Sequence, residues 1–364
     1  MLLPSFSSVV AGALVTASAV YALPQSSGSG SGSSSRACNN SPDLCSRNYN
    51  NVTHMGAHGS SFLRDSRTST FGAAGNQNYN ATDALSAGIR LLQAQVHKEN
   101  NSLRLCHTSC EILDAGLLED WLGNVNDWIV ANPNEVVTFL LVNSDKASAS
   151  EIGKAFNDSG IADLTYRPSG EGPSGDWPTL EDMISGNQRV VAFATNIDPS
   201  TEYPFLMPEF DYVFETPFEV QNLGDFNCTL DRPSRLDSAT AALSSNYLSL
   251  VNHFKYQSLS EGSNLFVPDV SNIEIVNSDG TSQDGNLGKH LQECRRQWSA
   301  APNFVLVDFF EEGQVLAAAD TMNGISGATG RQAVEDSESM GNGPDRRLGM
   351  GALTAFVAAA VLLV

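Results

Sequence analysis

The chain has 364 residues, of which 41 are Asp or Glu and 20 are Lys or Arg, giving a formal charge of -21 at neutral pH. A surface so short of cations excludes nucleic acid as a partner, because binding by counterion release needs Lys and Arg. With 41% hydrophobic residues there is ample material for a large core, so wholesale disorder is excluded as well.

In chain order, the first 35 residues carry no charged side chain, and an apolar run from Val9 ends in the small-residue patterns Ala17-Ser18-Ala19 and Val20-Tyr21-Ala22. This pattern predicts a secretory signal peptide over 1–22. Residues 23–47 then form a linker, nearly pure Ser and Gly from Gln25 to Arg36, with an N-terminal Cys segment. A barrel domain is expected over 48–315, followed by a second linker over 316–342. At the far end an uncharged run over 348–364 follows Arg346 and Arg347, with the small residues Gly341, Asn342 and Gly343 upstream. That layout predicts a glycosylphosphatidylinositol signal whose tail, 343–364, is exchanged for a lipid anchor. The expected location is secreted, at the extracellular face of the plasma membrane or in the cell wall, with the anchor as the membrane contact.

Six cysteines fit an oxidising compartment and allow 15 pairings. Close spacing favours Cys38 with Cys45 and Cys106 with Cys110, leaving Cys228 for Cys294. A zinc site from Cys106, His107 and Cys110 is the competing arrangement and lacks a fourth ligand. Sequons at Asn51, Asn80, Asn100, Asn157 and Asn227 add candidate glycosylation sites.

Seven β-rich runs, at 52–57, 90–96, 136–142, 189–194, 212–215, 248–253 and 304–309, alternate with amphipathic stretches, and an eighth is expected near 265–267. The clearest helical stretch is 117–131, where Leu118, Trp121, Leu122, Val125, Trp128 and Ile129 recur at helical spacing; 287–298 is another. Strands alternating with helices over this length predict the α/β class and a TIM-type (β/α)8 barrel, irregular or incomplete. Functional groups of such a barrel lie where strands end. That filter selects His58, Gln95, Asn143, Glu215, His253 and Asp308, with His107 in the connection after the second strand.

Four blocks in order, Asn51 to His58, Gly88 to Gln95, Leu105-Cys106-His107 and Asn303 to Phe309, resemble the phosphatidylinositol-specific phospholipase C X domain, and more narrowly its secreted PLC-like branch. The resemblance covers roughly residues 48–313. It implies a barrel that cleaves a phospholipid or other phosphodiester, with a head-group hydroxyl rather than water as the first nucleophile. Two imidazoles suit that step, because one proton must leave the hydroxyl while another reaches the departing alkoxide near neutral pH. By correspondence His58 is the base, His107 the acid, and Asp308 the carboxylate that orients His58.

Departures from the family pattern concern charge. Gln93 and Gln95 stand where relatives carry an arginine or metal-binding carboxylates, so calcium or magnesium has only two weak candidate ligands and no confident cofactor is implied. Gly59 stands where Asp or Asn is common. Arg64, Lys98, or Glu215 with Asn143 are the residues available to compensate. Two rival functions remain: a surface barrel kept as a binding or adhesion module, and a wall glycoside hydrolase using Glu135.

Overall fold

The computed structural model describes residues 36–64, 72–259 and 266–334. The expected signal peptide, the Ser/Gly run before Arg36 and the anchor signal lie outside the described residues.

Twelve strands are present among the described residues: β1 (His54–Ala57), β2 (Leu91–Glu99), β3 (Ser102–His107), β4 (Leu113–Leu117), β5 (Val137–Asn143), β6 (Val190–Ala194), β7 (Leu206–Pro208), β8 (Val213–Glu215), β9 (Leu248–Asn252), β10 (Tyr256–Ser258), β11 (Phe266–Pro268) and β12 (Phe304–Val307). Eight of them form one parallel path in the order β7-β6-β5-β2-β1-β12-β9-β8. This is an irregular, incompletely closed TIM-type barrel, with β7 and β8 at the two ends of the hydrogen-bonded path. The short helix Glu209–Tyr212 connects those two ends in the chain.

All seven predicted strands are found in the path. The eighth differs: β11 pairs with β10 in a separate antiparallel hairpin, and the barrel position belongs to β7. Three residues ending in proline are too few to display a period of two, which hid β7 in the sequence. The hairpin β3–β4 adds antiparallel strands to the outer half of β2, carrying His107 out of the barrel.

Alternation along each strand sorts side chains into two apolar layers. Met55, Ala57, Phe139, Leu141, Val251, Val305 and Val307 face the helices, while Leu140, Phe193, Leu250, Phe304 and Leu306 fill the barrel. Against the outer layer lies the helix Leu118–Ala131, burying Leu118, Leu122, Val125 and Ile129 at helical spacing. The helix Ala149–Asp158 begins with a reciprocal capping box between Ser148 and Glu151.

Both presumed linkers are partly folded. Cys38 and Leu44 are buried, and Asn40 binds Thr329 O and accepts from Arg90. A further helix, Val315–Asn323, buries Val315, Ala318, Ala319 and Met322, and Asn323 bonds both N and O of Thr53. Its apolar stripe seals the start of β1, so the folded body runs past residue 315. The disulfides are Cys38–Cys45, Cys106–Cys110 and Cys228–Cys294.

Candidate active site

His58 is the first residue beyond β1, and its N–H continues the parallel ladder to Val307 O at 2.9 Å. Asp308 is the first residue beyond β12, the neighbouring strand. Both positions share the inward parity of Gly56 and Leu306, so the side chains meet: His58 Nδ1 lies 2.8 Å from Asp308 Oδ1. With Nδ1–H given to the carboxylate, Nε2 is the nitrogen left for proton transfer. Phe254, two residues past Asn252 with the same inward parity, stacks on the imidazole at 3.7 Å with the rings 2° from parallel.

Two amides in the connection after β1 complete the support. Asn76 Nδ2 donates to Asp308 Oδ1 at 3.0 Å, and Gln77 Nε2 donates to His58 O at 2.7 Å and to Val307 O at 3.1 Å. Gln77 thus ties the two strand ends together. These partners explain Gly59: its φ is +54°, and an added Cβ would sit 2.4 Å from Asn76 Oδ1. Glycine stands there for steric reasons, and the space an acid would occupy belongs to Asn76.

His107 ends β3, and the Cys106–Cys110 disulfide closes a short loop around it. Its ring lies 4.9 Å from that of Phe62, and its Nδ1 is buried without a hydrogen-bond partner. Burial, then the charges of His58 and His97, push its pKa down to about 3. His97 is inward on β2 and binds Asp145 Oδ2 through Nδ1 at 3.2 Å.

The second-strand glutamines have defined roles. Gln93 Oε1 accepts the Gly59 N–H at 2.7 Å, and Gln95 Oε1 accepts the Thr108 N–H at 2.8 Å. Gln95 Nε2 donates to Ser144 Oγ at 2.8 Å. The oxygens that would ligate calcium or magnesium are therefore committed to backbone donors, and this donor set does not fit a divalent ion. Cys228, His290 and Cys294 also cluster, but both cysteines are in a disulfide and His290 binds Asn227 O and His253.

Asn143 and His253 are not brought to this site. Asn143 shares the outward parity of Phe139 and Leu141, and its amide closes the turn to Ala147 at 2.8 and 2.9 Å. His253 shares the outward parity of Val251; its nitrogens meet His290 Nδ1 at 2.9 Å and Val276 O at 2.8 Å. Glu215 does point inward. Burial is the largest influence and would raise its pKa, but the Arg232 charge and hydrogen bonds from Glu209, Arg232 and Asn252 together lower it; Arg232 Nε donates at 3.1 Å. The adjacent, fully buried Glu209 moves the other way, raised by burial and by the Glu215 charge. Of the cations considered from sequence, Arg64 lies over the Phe309 ring and bonds Ala73 O, while Lys98 pairs with Glu151 on the surface. Glu135 is paired with Arg90 at 2.6 Å beside the start of the strands, far from the end a glycosidase would use.

Sequence reasoning missed Asn76, Gln77, Phe254, Arg232 and His97. The run Asn76-Gln77-Asn78, late in the connection after the first strand, was a usable signal, and so was the inward parity of Phe254. Arg232 left no signal, since its contact with Glu215 spans a long connection.

A profile of the PI-PLC X family, described as PI-PLC X 1, matches residues 44–323. This chain belongs to the PI-PLC X family. It is 35% identical over 290 residues to PI-PLC X domain-containing protein 1 of Arthroderma benhamiae, covering 79% of this chain and 90% of that protein. A second protein of the same organism, named an uncharacterized secreted protein, is 34% identical over 77% of this chain, which spans 61% of its length. Among solved structures, the phosphatidylinositol-specific phospholipase C of Listeria monocytogenes superposes with a TM-score of 0.50 at 16% identity, covering 76% of this chain and 95% of that one. The PI-PLC X fold accounts for the parallel barrel and for strand ends that carry the polar groups.

Proposed function

We propose that this PI-PLC X chain is a phosphoric diester hydrolase that cleaves a phospholipid-type diester by acid and base catalysis at His58 and His107. The observation that carries this reading is the His58–Asp308 contact at 2.8 Å, beside which a second imidazole, His107, packs 4.9 Å from the ring of Phe62 in the connection that follows His58. In the first step His58 Nε2 takes the proton of a head-group hydroxyl, that oxygen attacks phosphorus, and the lipid alkoxide leaves with a proton from His107. Water then opens the cyclic phosphate with the roles exchanged. A neutral His107 cannot act as the acid, so it must take up a proton from solvent as substrate binds: the bound phosphodiester anion supplies the negative charge that favours imidazolium. Gln93 Nε2, opposite its committed oxygen, is an uncharged donor for a phosphate oxygen.

Secretion and a lipid anchor complete the proposal. Three disulfides, five exposed sequon asparagines and a relative named as secreted support export. A second reading, a binding barrel without turnover, is favoured by the tight cover of the site, where the His58 side chain is only 12% exposed.

The deciding experiment is hydrolysis of phosphatidylinositol and of inositol cyclic phosphate by the secreted protein, in chelator and in added calcium or magnesium. Turnover lost in both His58→Ala and His107→Ala supports the reading. Binding of the same substrates without turnover would replace it by the second.

A further inference from the structure

His58 and His107 are followed by residues of the same unusual conformation. Gly59 has φ +54° and Thr108 has φ +64°, both left-handed. In each case the N–H of that residue is captured by a side-chain oxygen from β2: Gln93 takes Gly59 at 2.7 Å and Gln95 takes Thr108 at 2.8 Å. The backbone of Gln93 adds a second hold on the His58 side, accepting from both Ser60 N at 2.7 Å and Ser60 Oγ at 2.8 Å. On the other side, Gln95 is itself braced by Ser144 at 2.8 Å. The two glutamines are separated by one residue and face the same way, so their anchor points are about 6.6 Å apart along a stiff strand.

We infer that Gln93 and Gln95 are paired positioning residues: each grips the peptide just after one histidine, and β2 acts as the ruler that sets the two imidazoles on opposite sides of one phosphorus. This inference rests on the proposed two-histidine reaction for its purpose, but not for its geometry. His58 lies on β1 and His107 on the β3–β4 hairpin, with no side-chain hydrogen bond between them, so their separation needs a common reference. A left-handed peptide directs its N–H away from the flanking strand ladder, and a side-chain acceptor of fixed reach turns that N–H into a register pin. The carboxamide suits this task better than a carboxylate, because it accepts strongly enough to hold the N–H and adds no negative charge beside a phosphate.

The test uses Gln95→Leu, Gln93→Leu and the conservative Gln95→Glu in the secreted protein. Glu keeps an acceptor for Thr108 N–H, and the Ser144 hydroxyl can turn to donate to it. Amide hydrogen exchange reads the grip without any turnover. Gln95→Leu should speed exchange at Thr108 by at least tenfold and leave Gly59 protected; Gln93→Leu should do the reverse; Gln95→Glu should keep Thr108 protected. In steady-state hydrolysis, Gln95→Leu should lower kcat by roughly 10²-fold, the scale of a 1 Å misplacement, with KM little changed and kcat restored only in part in Gln95→Glu, whose added negative charge beside the phosphate holds it below wild type. If both amides loosen together in either Leu variant, or neither does, the ruler is refuted whether or not the protein turns over. If the wild-type protein hydrolyses nothing but the amides respond selectively, the two-histidine reaction fails and the grip stands. A kcat unchanged in Gln95→Leu, or a loss wholly in KM, would overturn the positioning role.

Discussion

His58 stands at the mouth of the barrel, on a strand end hydrogen-bonded into the parallel path, whereas His107 stands on a hairpin that leaves it. On the first side the fold itself does the positioning: β1 and β12 are neighbours, so His58 and Asp308 emerge side by side, and Asn76, Gln77 and Phe254 close around them. On the second side the hairpin is joined to the barrel through β2 alone, and two staples hold the end that carries His107: the Cys106–Cys110 bond and the Thr108–Gln95 hydrogen bond. A residue fixed by several partners is robust to losing one of them. One fixed by two staples is not.

The largest effect that can test this contrast is removal of the imidazoles. His58→Ala and His107→Ala should each lower kcat by about 10³-fold or more, within the range of lost acid–base catalysis, while thermal unfolding of His107→Ala should move far less than its activity, since Nδ1 has no hydrogen-bond partner to lose. A loss confined to His58→Ala would leave the hairpin side without a chemical role.

Acid should next separate the reaction centre from the frame. His54, His253 and His290 are buried and held down to about 4, 3 and 4, chiefly by desolvation. Each has a folded pKa below its unfolded value of about 6.5, so each contributes stability that is complete above that value and lost as pH falls toward 4. The unfolded chain binds more protons in this window, at up to about 1.4 kcal/mol per pH unit per histidine. His253 and His290 share a hydrogen bond and titrate as a pair. Denaturant midpoints measured from pH 7 to pH 4 should fall steadily. A flat profile would contradict neutral buried imidazoles.

Because His107 is also depressed, to about 3, binding of an unreactive inositol phosphonate at pH 6 should be accompanied by proton uptake. Titration calorimetry in buffers of different ionisation enthalpy measures it, and His107→Ala should abolish most of it. Replacing Cys106 and Cys110 together by serine should cost about tenfold in kcat, a partial loss of preorganisation on the scale of a small misplacement, with the His58–Asp308 side undisturbed. The smallest effects belong to the paired left-handed residues. Gly59→Ala should destabilise by about 1–2 kcal/mol from the backbone alone, and by more through the clash with Asn76. Thr108→Gly relieves the same strain and should be neutral or slightly stabilising.

Legibility of the site followed the same division. The strand-end rule selected His58, Asp308 and Glu215, which do face into the barrel, and ordered motif blocks selected His107. It also selected Asn143 and His253, which end strands at the right height but face the helices. Counting parity from Phe139 and Leu141, or from Val251, would have excluded both, since a period of two fixes the face of every residue on a strand. Gln93 and Gln95 were recognised as the position where relatives carry charge, yet their partners, Gly59 and Thr108, are set by loop conformation that no periodicity records.

The amino-acid sequence by itself determined the alternation of strands and helices, seven of the eight barrel strands, the three disulfide partners and the placement of His58 and Asp308 at strand ends. Those features are local or depend on order along the chain, and apolar periodicity and motif spacing carry them directly. Tertiary structure alone decided that β7 rather than 265–267 joins the barrel, that Asn76 fills the space beside Gly59, that Arg232 pairs with Glu215, and that the amide oxygens of Gln93 and Gln95 accept the N–H groups of Gly59 and Thr108. Each of these depends on which distant backbone atoms are brought within hydrogen-bonding distance, and that is settled only when the sheet curls.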